Sequence, residues 1–111
     1  MDNLYNGKKK AKDYLTAAIE TMNSRASEYD KEAQQERSMR KIVQVFNTIT
    51  SQDLTEVQGW AFMQCLKMVR LHTNPQNYHE DSAIDNIAYS ALEAEAWSTK
   101  QYNEYKFETC A

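Results

Sequence analysis

At 111 residues and a formal charge of −3, the chain is sized for one domain and carries too little net charge to argue for nucleic acid. Two glycines and one proline supply too few turns for an all-β fold, and they exclude a glycine-rich phosphate loop. Long helices with few breaks fit this composition. The expectation is an all-α helical bundle of about four helices, a single domain over 1–111, with 1–8 as an arm and 98–111 as a helix extension or tail.

The first helix is expected from about Lys9 to Glu28, where Leu15, Ala18, Ile19 and Met22 recur at helical spacing. Lys8, Lys9, Lys10 and Lys12 read either as a phosphate-seeking arm or as a solvated first turn. The segment from Asp30 to Arg40 is charged and Gln-rich, and is open to reading as helix or flexible connection. Met39, Ile42, Val43 and Phe46 then form a second amphipathic stripe, with a break expected over Asn47 to Thr55. Thr55-x-x-Gln58 matches a capping box, so a third helix should run from about Glu56 to His72. Val57, Trp60, Phe62, Met63, Leu66 and Val69 place apolar groups all around it, the mark of a central helix. The only proline, Pro75, lies in a loop. Asp81 or Ser82 is expected to cap a last helix reaching about Trp97.

Cys65 and Cys110 are far apart and suit neither a metal site nor an obvious nucleophile. The N-terminus is polar and lysine-rich, unlike a secretion signal, and no apolar run approaches membrane-spanning length. Free thiols in a reducing cytoplasm, with no membrane partner, are the expectation.

Charge within the apolar third helix is the main chemical signal. Lys67 and Arg70 lie roughly 60° apart on it, on the side shared by Trp60 and Met63. Asp81 and Asp85 stack four residues apart on the next helix, with Tyr89 flanking them. A short connection makes the two helices antiparallel neighbours, so both charge sets fall at one end of the hairpin. Buried charge is tolerated when it is paired or used, which leaves two readings. In one, the residues form a structural clasp in which Arg70 pairs with Asp81 or Asp85, Lys67 snorkels to the surface and Asp81 also serves as N-cap. In the other, Lys67 and Arg70 bind phosphate, Asp81 and Asp85 hold Mg²⁺, and Tyr89 or Trp60 stacks on a base. His79 in the loop is a candidate ligand or a plain exposed histidine.

The run from about Leu15 to Trp97 resembles a small helical family of bacteriophage and prophage proteins defined as a domain of unknown function. The resemblance rests on Arg25 with Glu28-Tyr29-Asp30, on Ile42 to Phe46, on Lys67-x-x-Arg70, on Asp81-x-x-x-Asp85-x-x-x-Tyr89 and on Glu93 or Glu95. It implies a phage origin and an all-helical fold. More distantly, such proteins are similar to MazG-type all-α nucleotide pyrophosphohydrolases, which hold Mg²⁺ on helix carboxylates. This chain lacks their double-Glu motif, and its Asp81–Asp85 spacing is one residue longer than their Glu-x-x-Asp. The implied function is a phage accessory protein that binds a phosphate-bearing small molecule, foremost a nucleotide. Any activity would be Mg²⁺-dependent and pyrophosphohydrolase-like. The alternative is an interaction protein that binds and inhibits a host enzyme or defence component, through Trp97, Tyr102, Tyr105 and Phe107 or through residues 30–40. The aromatic tail also invites self-association, so a homo-oligomer is expected.

Overall fold

The computed structural model describes residues 9–29 and 38–99. They form four helices: α1 (Ala11–Tyr29), α2 (Ser38–Thr50), α3 (Glu56–Thr73) and α4 (Glu80–Trp97). The expected all-α bundle is thus observed. The arm 1–8, the segment 30–37 and the tail aromatics Tyr102, Tyr105 and Phe107 lie outside the described residues.

Each boundary has a local cause. At the start of α1 the Lys10 backbone N–H donates to the Asp13 carboxylate at 2.8 Å, half of a capping box. The box at α3 is complete: Gln58 N–H donates to the Thr55 hydroxyl at 3.2 Å, and Thr55 N–H donates to Gln58 Oε1 at 2.9 Å. Two boundaries depart from expectation. The break expected at Asn47 falls later, because α2 continues to Thr50 and ends where Ser51 adopts a left-handed φ of 57°. Asn47 is helical, and its side-chain amide braces the loop beyond. It donates to the Leu54 carbonyl at 2.9 Å and accepts from Leu54 N–H at 2.8 Å. At α4 the N-cap is His79, without a side-chain cap, rather than Asp81 or Ser82.

α3 and α4 form an antiparallel hairpin, and α1 lies along α4 on another side. α2 neighbours only α3 among the described helices. One core runs through the joint, with Met39 and Val43 from α2, Val57 and Trp60 from α3, and Tyr89, Leu92 and Ala96 from α4. Gly59 explains how α2 comes close. A Cβ there would overlap Met39 Sδ and stand 3.0 Å from both Met39 Cγ and Val43 Cγ1.

α3 is central in that it touches both α2 and α4, yet one side of it stays open. Phe62, Leu66 and Val69 are exposed, as are Ile42, Val45 and Ile49 on α2. No described helix is long and apolar enough to cross a membrane.

Candidate functional site: a three-helix charge clasp

Trp60 and Lys67 are seven residues apart, two helical turns, and so lie within about 20° of each other on the α4-facing side of α3. That spacing aims the Lys67 stem along the core while its ammonium reaches the hairpin seam. There Lys67 Nζ meets Asp85 Oδ2 at 3.0 Å, with the two side chains only 10% and 15% exposed. The second oxygen of the same carboxylate is also engaged. Arg25, from the last turns of α1, donates from Nη2 to Asp85 Oδ1 at 3.2 Å. One carboxylate on α4 therefore binds cations from two other helices, joining α1, α3 and α4 at a point.

The aromatic residues complete the joint. Tyr89, one turn beyond Asp85, stacks on Trp60 with centroids 5.6 Å apart and planes at 26°. The Arg25 guanidinium lies over the same Tyr89 ring at 5.8 Å. Contacts of these two kinds each contribute on the order of 1 kcal/mol. Both rings are buried. A base could stack on either ring only by displacing what already covers it.

A further polar link ties the next turn of the hairpin. Gln64 donates to Glu93 Oε1 at 2.6 Å, and Trp97 Nε1 donates to Glu93 Oε2 at 2.9 Å. Trp97 is thus tethered along α4 with its ring half in solvent. At the helix start, the fully buried Ser82 hydroxyl lies 2.7 Å from His79 Nδ1, which gives that loop histidine a structural contact.

The residues expected to form one site separate into two sets. Lys67, Asp85, Tyr89 and Trp60 come together; Arg70 and Asp81 do not. Both of the latter are exposed, and among the described residues neither has an ion-pair partner. Helical drift accounts for this. Arg70 stands about 80° from Trp60 around α3, and Asp81 about 80° from Tyr89 around α4, each turned away from the seam. Asp81 instead sits in the first turn of α4, where the helix dipole favours a carboxylate.

The residue that local reading missed as a site member is Arg25. It lies 60 positions from Asp85, and nothing in the α1 stripe announces its partner. The available signal was its place in the family pattern.

The Mg²⁺ expectation meets a poor donor set. Both Asp85 oxygens face cations, and Asp81 points elsewhere, whereas Mg²⁺ needs free hard oxygen ligands. Among the described residues, no three His, Cys, Asp or Glu side chains are grouped to hold a metal. In this arrangement one carboxylate holds cations from two other helices.

No curated protein and no solved structure matches the chain. A family model does match, the domain of unknown function DUF6378, over residues 13–97, from the first turn of α1 to the end of α4. That span takes in every residue of the clasp, and the chain belongs to the DUF6378 family.

Proposed function

We propose that this protein works by protein contact, as a small helical interaction protein, and that the charged cluster is its structural joint. One observation carries the reading: both Asp85 oxygens are engaged by cations, while large apolar side chains on α2 and α3 stand in water. A ligand site is a concave, largely apolar pocket with a few polar groups left free to orient the ligand, and neither Asp85 oxygen is free. Contiguous exposed apolar surface is the ordinary mark of a protein-binding face. In the bacteriophage setting that the family resemblance implies, a host protein is the natural partner.

The rival reading is a nucleotide or other phosphorylated ligand held by Lys67 and Arg70, with Asp81 and Asp85 on Mg²⁺. It would need the clasp to open and Lys67 to leave Asp85. A thermal-shift series with nucleotides, with and without Mg²⁺, separates the two. A nucleotide at a hundred times its Kd would add about 2.7 kcal/mol and raise Tm by roughly 10 °C or more in a domain this size. The contact reading predicts no such shift, and it predicts that partner capture is lost in Ile49→Glu and Phe62→Glu but retained in Arg70→Ala. A nucleotide-specific rise abolished by Arg70→Ala would overturn it.

A further inference from the structure

α1 is held differently from the other three helices. The core cluster draws its buried residues from α2, α3 and α4 and none from α1; Met22 packs against it only as a half-buried side chain. Of the described α1 side chains, those of residues 11–25, only Ala18 is buried. α1 touches no described helix but α4, so among them α4 is what covers Ala18. Ala88 on α4 is likewise buried yet outside the core cluster. An alanine side chain removes far less apolar surface from water than a valine or leucine, so little hydrophobic free energy depends on α1.

What holds α1 is therefore mostly polar, and it is uneven along the helix. Near the start, Lys9 meets Glu80 at 2.6 Å and the Tyr78 hydroxyl donates to the Tyr14 hydroxyl at 2.9 Å. Both contacts lie at the surface, where such pairs contribute little. Toward the end, Arg25 donates to Asp85 Oδ1 at 3.2 Å and lies 5.8 Å over the Tyr89 ring, with the Asp85 side chain only 15% exposed.

We infer that α1 is a releasable cover: it undocks from α4 as one unit while α2, α3 and α4 stay packed, and Arg25 is its latch. The inference rests on packing alone and stands apart from the protein-contact reading. Undocking costs the core cluster only the marginal contact of Met22. It also strands no buried charge, because Lys67 keeps Asp85 Oδ2 at 3.0 Å. Withdrawal of α3 or α4 would separate that pair. The open form frees Asp85 Oδ1 and the face of Tyr89 that now carries the guanidinium. What α1 covers is thus a carboxylate beside an aromatic ring, a site fitted to a cationic side chain. Elements that move in regulation come from the low-stability end of a fold, and α1 has the packing of such an element.

Native-state hydrogen exchange on the full chain, followed by NMR in low urea, tests this. Amides over residues 15–25 should share one opening, on the order of 100-fold more frequent than the opening that exposes the slowest amides of α3 and α4, and less dependent on urea. Arg25→Met, which keeps much of the stem, should make the α1 opening roughly 10-fold more frequent. Val57→Ala, in the core on α3, should speed the slowest α3 and α4 amides by roughly 10-fold or more. It should leave the α1 amides unchanged, because the core around Val57 stays packed when α1 opens. The urea dependence is read on the wild-type chain, so the inference stays open to refutation even where Val57→Ala fails to fold. α1 amides that exchange as slowly as those of α3 and α4, or that Val57→Ala speeds by the same factor, overturn it. So does a fast α1 that ignores Arg25→Met, since Arg25 would then be no latch.

Discussion

The joint of α1, α3 and α4 and the outer side of α2 and α3 treat side chains in opposite ways. At the joint, one carboxylate is shared by cations from two other helices, with Trp60 and Tyr89 stacked beside them. On the outer side, isoleucine, valine and phenylalanine are left in water. α3 belongs to both regions, and the division runs around its circumference. Trp60 and Lys67 face inward, Gly59 lets α2 approach at about 100° from Trp60, and Phe62 and Val69 point away. Under the proposed contact function, exposure rather than charge marks the working surface. A buried ion pair that closes on itself is an architectural device. An apolar seam with no partner is an incomplete one.

The largest test of this contrast is at Asp85. In Asp85→Ala the Lys67 ammonium, already inside, loses its carboxylate, and Arg25 loses its ion pair with α4. The expected loss is about 3–5 kcal/mol of unfolding free energy by urea titration, toward the lower end because Arg25 is 33% exposed and can turn to water. Lys67→Met keeps the buried stem and leaves Arg25 on Asp85, so its loss should be under about 1.5 kcal/mol. If Asp85→Ala were as mild as Lys67→Met, the joint would not be the clamp described above. The nucleotide reading would then regain ground.

A smaller effect separates the two regions directly. Gly59→Ala adds a methyl group where Met39 Sδ, Met39 Cγ and Val43 Cγ1 stand. The Met39 thioether is flexible and can move, but the Val43 methyl is fixed by its branch. Helix propensity rises by about 1 kcal/mol, and overpacking takes away about 1–3 kcal/mol. The net expectation is a loss of about 1 kcal/mol, confined to α2. Hydrogen exchange should speed up in residues 38–50 and stay unchanged around Asp85. Equal acceleration in both places would show that the two regions are one cooperative unit.

Much of this architecture is legible in the sequence because it is local. The capping box at Thr55 and Gln58, the four amphipathic or apolar stripes and the loop around Pro75 each follow from residues within a turn or two of one another. That charge gathers at one end of the α3–α4 hairpin is also legible, because a short loop makes the two helices neighbours, but the cations exchange the expected roles: Lys67, expected at the surface, pairs with Asp85, and Arg70, expected to pair, is exposed. Legibility ends at two kinds of distance. Arg25 reaches Asp85 across 60 positions, so only the fold brings them together. Arg70 and Asp81 look equivalent to Lys67 and Asp85 along the chain, but a few tens of degrees of helical drift put them in solvent. The apolar circumference of α3 marks a central helix. Among the described residues two of its sides are covered, and the third stays open.

The smallest expected effect lies where α1 meets the start of α4, a contact made wholly of surface groups. There Lys9 Nζ meets Glu80 at 2.6 Å, and the Tyr78 hydroxyl donates to the Tyr14 hydroxyl at 2.9 Å. The Tyr14 hydrogen bond, then burial, and then the nearby Tyr14 and Glu80 charges push the Tyr78 phenol up to about 12. For a phenol whose folded pKa is raised, the sign is set by the neutral form. The contact's stability is present below the ordinary value near 10 and is lost as pH rises through about 12. Tyr78 is 59% exposed, so solvent screens most of this, and Tyr78→Phe should change unfolding free energy by less than about 0.5 kcal/mol at pH 7. The phenolate absorbance titration is the more sensitive readout. Its latest component should disappear in Tyr78→Phe, while a wild-type and variant pair with the same late component would assign that phenol elsewhere. Set beside Asp85→Ala, this variant scales the comparison: α1 should be held by its half-buried Arg25 end far more than by its exposed tyrosine end.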